Sequence, residues 1–185
     1  MTSLLLALLL NAEPLIVVAP FEVVSQNPAD ANLGRAMQSL VEADLKAAGL
    51  TPRTEDDLDP KNWGKIKGAT HIVAGTIMTL PGKVKISARL IALPNAVVAS
   101  ASTDILTLGD WNGRQRITRA VLDALKRPPP PSMEELRVTD ALFRAWAEAL
   151  QAVHDGDLVV AKQKVADVVK RWPDFAPAKE RLAQL

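Results

Sequence analysis

The chain has 185 residues, 48% of them hydrophobic and 23% charged, which suits one domain, or one domain with a small appendage, around a sizeable core. Its 22 basic and 21 acidic side chains leave a formal net charge of +1, which argues against a dedicated nucleic-acid surface. There is no cysteine, so disulfides, thiolate catalysis, cysteine-ligated metals and lipid attachment at a cysteine of these residues are excluded.

Residues 4–10 are an unbroken run of Leu and Ala, followed by Asn11, Ala12, Glu13 and Pro14. The run is shorter than the roughly 20 residues a bilayer span takes. A small residue ahead of an acid and a proline resembles a secretory leader cleaved after Ala12, with the α-amino group as the only positive charge before the run. A buried first strand or a mis-assigned start is the other reading. Residues 15–20, LIVVAP, lack alternation, as in a central strand covered on both faces. Ser25, Asn27, Pro28, Asp30 and Asn32 predict a loop over residues 21–32. Leu33, Met37, Leu40, Val41, Leu45 and Ala48 then recur every three or four residues, predicting an amphipathic helix closed by Gly49. Residues 50–54 suit a short strand. Glu55, Asp56, Asp57 and Asp59 precede Pro60, a pattern for a helix start rather than a calcium loop, because no glycine stands where such a loop turns.

Residues 69–104 alternate as three antiparallel strands, with Pro81-Gly82 and Pro94-Asn95 as the turns. In the middle strand Val84, Ile86, Ala88, Leu90 and Ala92 share one face, and Lys83, Lys85, Ser87 and Arg89 the other. Such a meander needs helices over its apolar face to be stable. Residues 109–127 predict one, with Ile117, Val121, Leu122 and Leu125 as its stripe.

Residues 128–131 are four prolines, which lack amide donors and extend over about 12 Å at ~3.1 Å per residue. Beyond them, residues 133–153 predict a helix carrying Leu136, Phe143, Trp146, Leu150 and Val153. His154, Asp155, Gly156 and Asp157 turn the chain into a second helix over residues 158–172, with Ala161, Val165, Val168 and Val169 inward. Pro173 ends it, and residues 176–185 make a last short helix. The expected organisation is a leader at 1–12, an α/β unit at 13–127, a proline linker at 128–132 and a helical unit at 133–185 held apart by that linker.

LIVVAPF, NLGRAMQSLVEADLKAAGL, ATHIVAGTI and KVKISARLIALPNAVVASAS together resemble the N-terminal domain of TolB and TolB-like proteins, with Pro20-Phe21, Gly75-Thr76 and Leu90-Ile91 at matching positions. The related curli-secretion and flagellar outer-ring accessory proteins share this core. The resemblance covers residues 15–125 and its motifs are structural, so it implies a fold. That fold is α/β with α+β character: a mixed sheet of about five strands packed with helices, here followed by a C-terminal α-helical hairpin. The hairpin in turn resembles one tetratricopeptide repeat, through Ala149, Gly156, Ala161, Val165 and Pro173. The likeness is partial: Ala145, Glu148 and Ala149 replace the usual large aromatic and Leu-Gly residues.

Chemistry-bearing patterns are few. His71 and His154 lie far apart with no HxH or HxxxH spacing, Gly64-Lys65 and Gly68 do not make a phosphate loop, and no GxSxG holds a nucleophile. No catalytic, cofactor or metal residue is assigned. For partner binding, Trp63 and Trp111, beside Gly64 and Gly113, read as exposed anchors or as covers for the sheet edge. Leu136, Phe143 and Trp146 exceed what the small inner face of the second helix covers, so they too are expected to meet a partner. The expectation is a non-enzymatic, exported bacterial envelope protein acting in interaction or assembly. Its partners are other envelope proteins and copies of itself, not nucleic acid, and it reaches the membrane only through partners. A cytoplasmic regulatory module is the alternative, since TolB-like domains also occur beside repeat arrays, and a hydrolase with an unrecognised site is the third.

Overall fold

The computed structural model describes residues 14–54, 63, 66–93 and 96–185. The leader at 1–12, the acidic stretch and helix start at 55–60, Gly64-Lys65 and the Pro94-Asn95 turn lie outside the described residues. The strands are β1 (Ile16–Val18), β2 (Glu22–Val24), β3 (Arg53–Thr54), β4 (His71–Leu80), β5 (Lys83–Ala92), β6 (Ala96–Ser102) and β7 (Leu106–Thr107). Five of them form the main path of a mixed sheet in the order β3-β1-β4-β5-β6, with β2 beside β4 and β7 beside β5. The chain is thus an α/β fold, and the antiparallel meander β4-β5-β6 is its largest part.

β1 runs parallel to both β3 and β4, which explains its continuous apolar sequence. Ile16 and Val18 face the main core; Val17 and Ala19 face a smaller cluster with Ile72, onto which Trp63, Ile66 and Ala69 pack. On β5 the alternation holds: Val84, Ile86, Ala88 and Leu90 are buried, while Lys83, Lys85 and Arg89 are exposed. A register shift opposite Leu90 and Ile91 marks a bulge in β6.

β2 falls within the stretch expected to be a loop. After β1 the chain steps aside at Pro20 and Phe21, then resumes parallel pairing with β4 at Thr76. The step is made possible by two glycines. A Cβ on Gly75 would lie 2.2 Å from the Phe21 ring, and one on Gly34 would lie 2.0 Å from the Phe21 carbonyl oxygen. Pro20-Phe21 and Gly75, two of the positions that carry the family resemblance, therefore meet at one packing point.

The helices are α1 (Leu33–Ala47), α2 (Arg114–Ala124), α3 (Pro131–Glu135), α4 (Asp140–His154), α5 (Leu158–Arg171) and α6 (Ala176–Gln184). Residues 133–153, expected as one helix, are interrupted between α3 and α4. Leu136 is extended at φ −74° and ψ 101°, and the Thr139 side chain caps α4 by accepting from the Leu142 amide. A further expectation is overturned by the packing. The prolines do not hold the helical unit apart: Pro131 opens α3, a favourable first position, and α4 packs directly on α1. Buried side chains of the sheet, α1, α2 and the C-terminal helices form one contiguous core.

The register assigned to β5 sets a stability contrast. Leu90→Ala is expected to cost about 2–5 kcal/mol through the cavity it leaves, and Arg89→Ala about 0.5 kcal/mol or less. Urea unfolding of the two variants measures the difference, and equal losses would contradict the register.

Candidate interaction surface

Among the described residues, two networks of polar side chains tie helices to the rest of the chain, and buried Gln38 and Thr103 bond separately to the backbone of β1 and β5. In the first, Arg114, fully buried at the start of α2, pairs with Asp44 of α1 at 2.5 Å. Thr118, one turn along α2, also donates to Asp44 at 3.2 Å. The other Arg114 amino group donates to the Leu136 carbonyl at 3.2 Å, where the chain passes between α3 and α4. Burial pushes the Asp44 carboxyl up to about 6, against the pull of the Arg114 charge and of the hydrogen bonds from Thr118 and Arg114.

In the second network Asp30 accepts from Ser25 at 2.7 Å and Thr79 at 3.0 Å through one oxygen, and from Arg144 of α4 at 2.8 Å through the other. Burial raises the Asp30 carboxyl, but the bonds from Arg144, Ser25 and Thr79 outweigh it and hold it below the usual range. Arg144 also grips Asp140, and Asp140 accepts from the Trp111 indole at 2.9 Å. All these carboxylates have positional partners within the fold. His71 and His154 stay in separate places, and among the described residues no group of His, Asp and Glu is set to hold a metal ion.

The expected anchors are mostly inside. Trp111 is fully buried and stacks on Phe143, with ring centroids 4.1 Å apart. Phe143 is itself fully buried, and Trp146 is buried edge-on against Phe175 while its indole donates to Ser39 of α1. These three are therefore not free to meet a partner. The reason is the docking of α4 on α1, which supplies the cover that α5 alone does not. Leu136 is half-buried against the core, and Trp63 is half-buried against β1.

The surface instead offers apolar side chains that were not anticipated as contacts. Val24 (46% exposed), Met78 (40%) and Leu80 (45%) line a groove of about 490 Å³ at the free side of β2 and the β4-β5 turn. Ser25, Gln26, Asn27, Asp30 and Thr79 supply its polar lining, and across the β4-β5 pair Lys85 stands opposite Met78 and Lys83 opposite Leu80. Val97, Val98 and Ile105 are exposed on and just after β6, and Leu158, Val159 and Val160 at the start of α5. The sequence signal for the groove was β4 itself, where apolar residues continue onto the outward positions Met78 and Leu80.

No protein-family model and no curated protein matches the chain. Among solved structures it is similar to a PelC dodecamer from Paraburkholderia phytofirmans, at 19% identity over 63% of this chain and 89% of that one, with a TM-score of 0.46. It is also similar to TolB from Acinetobacter baumannii, at 14% identity over 62% of this chain and 29% of that one, TM-score 0.45. A lipoprotein from Neisseria meningitidis is similar at 18% identity over 60% of this chain and 92% of that one, TM-score 0.40.

The first network makes stability depend on pH. Asp44 titrates near 6 in the fold against 3.8 for an unburied aspartate, so the folded state binds its proton more tightly between those values. The contribution of this group is fully present below the lower value and is lost as pH rises through about 6. Asp30, shifted the other way, acts only in stronger acid. Urea unfolding across this window should show the wild type losing on the order of 1–3 kcal/mol relative to Asp44→Asn as pH rises. A difference that stays flat, or grows in the other direction, would contradict the assignment.

Proposed function

We propose that this chain is a non-enzymatic assembly module of a bacterial cell envelope, which binds other envelope proteins and copies of itself. The observation that carries the reading is a division of labour among side chains. The buried polar groups join helices to sheet, while apolar groups stand exposed in three separate places: the β2 groove, the β6 edge and the start of α5. Exposed apolar clusters of this kind mark contact surfaces. Trp63 and Leu136 keep part of their surface and add to it. The envelope address rests on the leader-like residues 4–14 and on the resemblance of residues 15–125 to TolB-like domains. Membrane contact is made through partners; among the described residues no helix is long and apolar enough to cross a bilayer.

The address is tested by expression in a bacterial host, fractionation and N-terminal sequencing. The mature chain is expected in the envelope fraction beginning at Glu13. A chain retaining residues 4–10 in the cytosol would overturn the reading and favour the regulatory module.

A further inference from the structure

We propose that the pocket between α1, α3 and α6 binds an organic cation, an alkylammonium group on a short aliphatic stem, with Asp44 as its innermost anchor. The inference goes beyond the assembly reading and does not depend on it. The pocket has a volume of about 480 Å³, within the ~300–1,000 Å³ of small-molecule sites. Ala43 and Ala47 of α1, with Leu136 and Pro177, give it apolar walls.

The charges around these walls are of one sign. Glu135 ends α3, Asp174 precedes α6 and Glu180 lies on α6, so three parts of the chain each bring a carboxylate to the lining. All three are exposed, and their side chains have no polar partner among the described residues. Lys46 is the only basic residue in the described lining, and it is drawn to Glu42 at 2.8 Å, one turn back on α1. Arg137 and Lys179, next in sequence to lining residues, are exposed and do not line the pocket.

Asp44 distinguishes this pocket from a solvated acidic patch. It is only 5% exposed, and both of its side-chain bonds, from Arg114 and Thr118, end on Oδ2. Oδ1 has no partner among the described residues and is not sealed from solvent, and Asp44 lines the pocket, so this oxygen opens into it. Burial outweighs the Arg114 charge and the two hydrogen bonds and holds the carboxyl up at about 6, so the negative charge is under-compensated from the α2 side. A cation reaching Oδ1 supplies what Arg114 leaves unmet, through a charge-assisted hydrogen bond. Among the described residues no group of carboxylates is set to share a metal ion. The occupant that fits is therefore an amine whose ammonium meets Asp44 and whose methylenes lie along Ala43, Ala47 and Pro177.

A cation at Oδ1 favours the ionised form of Asp44. Binding near pH 6 should therefore release a proton, and affinity should rise from about pH 5 to about pH 7 as the carboxyl ionises. Isothermal titration calorimetry of the full chain tests the site with two probes: cadaverine for a free amine, and Nα-acetyl-lysine amide for a lysine borne by another protein. Pentanol is the neutral control. Saturable binding of at least one amine is expected, with none of pentanol, and the tighter amine identifies the source. Asp44→Asn is expected to weaken binding about tenfold or more and to abolish the proton release, read in two buffers of different ionisation enthalpy. The double variant Glu135→Gln with Glu180→Gln, at two exposed sites, is also expected to weaken it, and circular dichroism checks that each variant is folded. The proposal is overturned if neither amine saturates, if pentanol binds as well as cadaverine, or if a folded Asp44→Asn binds like the wild type. Should Asp44→Asn fail to fold, wild-type binding without proton release, or unchanged binding in the double variant, overturns it equally.

Discussion

An aspartate and an arginine held together out of water decide where the helices of this chain lie. Asp44 stands on α1 and Arg114 begins α2, and the pair has almost no exposure to solvent. Truncating either side chain would leave the other buried without its hydrogen-bond partner, which typically costs about 1–3 kcal/mol or more. The guanidinium reaches further, to the Leu136 carbonyl, and Asn112, just before it, accepts from the Val138 amide. Together they fix the segment between α3 and α4 and aim α4 across α1. Trp111 on Phe143 and Trp146 on Phe175 then complete the contact with aromatic area. The C-terminal helices are consequently part of the core that covers the sheet.

Much of this was legible in the sequence where a single period dominates. The β5 alternation and the α1 stripe each follow from side-chain direction along one regular element, and tertiary contacts reinforce them. β2 was illegible because three residues, Glu22 to Val24, carry too little pattern and their pairing depends on Gly34 and Gly75, distant in sequence. The break before α4 was hidden for a similar reason: its extended backbone is satisfied by Arg114 and Asn112, groups from another helix and its approach. Four prolines read as a spacer, yet the last one is a good helix start, and local propensity does not reveal what lies next to it.

The candidate site shows the same division. Trp111 beside a glycine looked exposed, and only the stacking on Phe143 from α4 puts it inside. One signal for the buried pair was available: Asp44 follows Leu40 by four residues and Val41 by three, so a carboxylate falls on the apolar stripe of α1. A charge in that position calls for a buried partner. The groove beside β2 was less visible, because it combines β4 with a strand that the sequence does not announce. Interior polar groups set the arrangement of helices, and that arrangement leaves apolar side chains exposed at the outer positions of β4, along the β6 edge and at the start of α5.

The single-core arrangement is tested most directly by urea unfolding of a chain ending at Arg127, followed by tryptophan fluorescence and far-ultraviolet circular dichroism. Removal of α4 uncovers Trp111, the α1 surface around Ser39 and the Asp30 carboxylate that Arg144 neutralises. The shortened chain is predicted to lose its cooperative transition and to expose apolar surface, while the full chain unfolds in one step by both probes. A sharp, coincident transition in the shortened chain, with a midpoint close to that of the full chain, would contradict it.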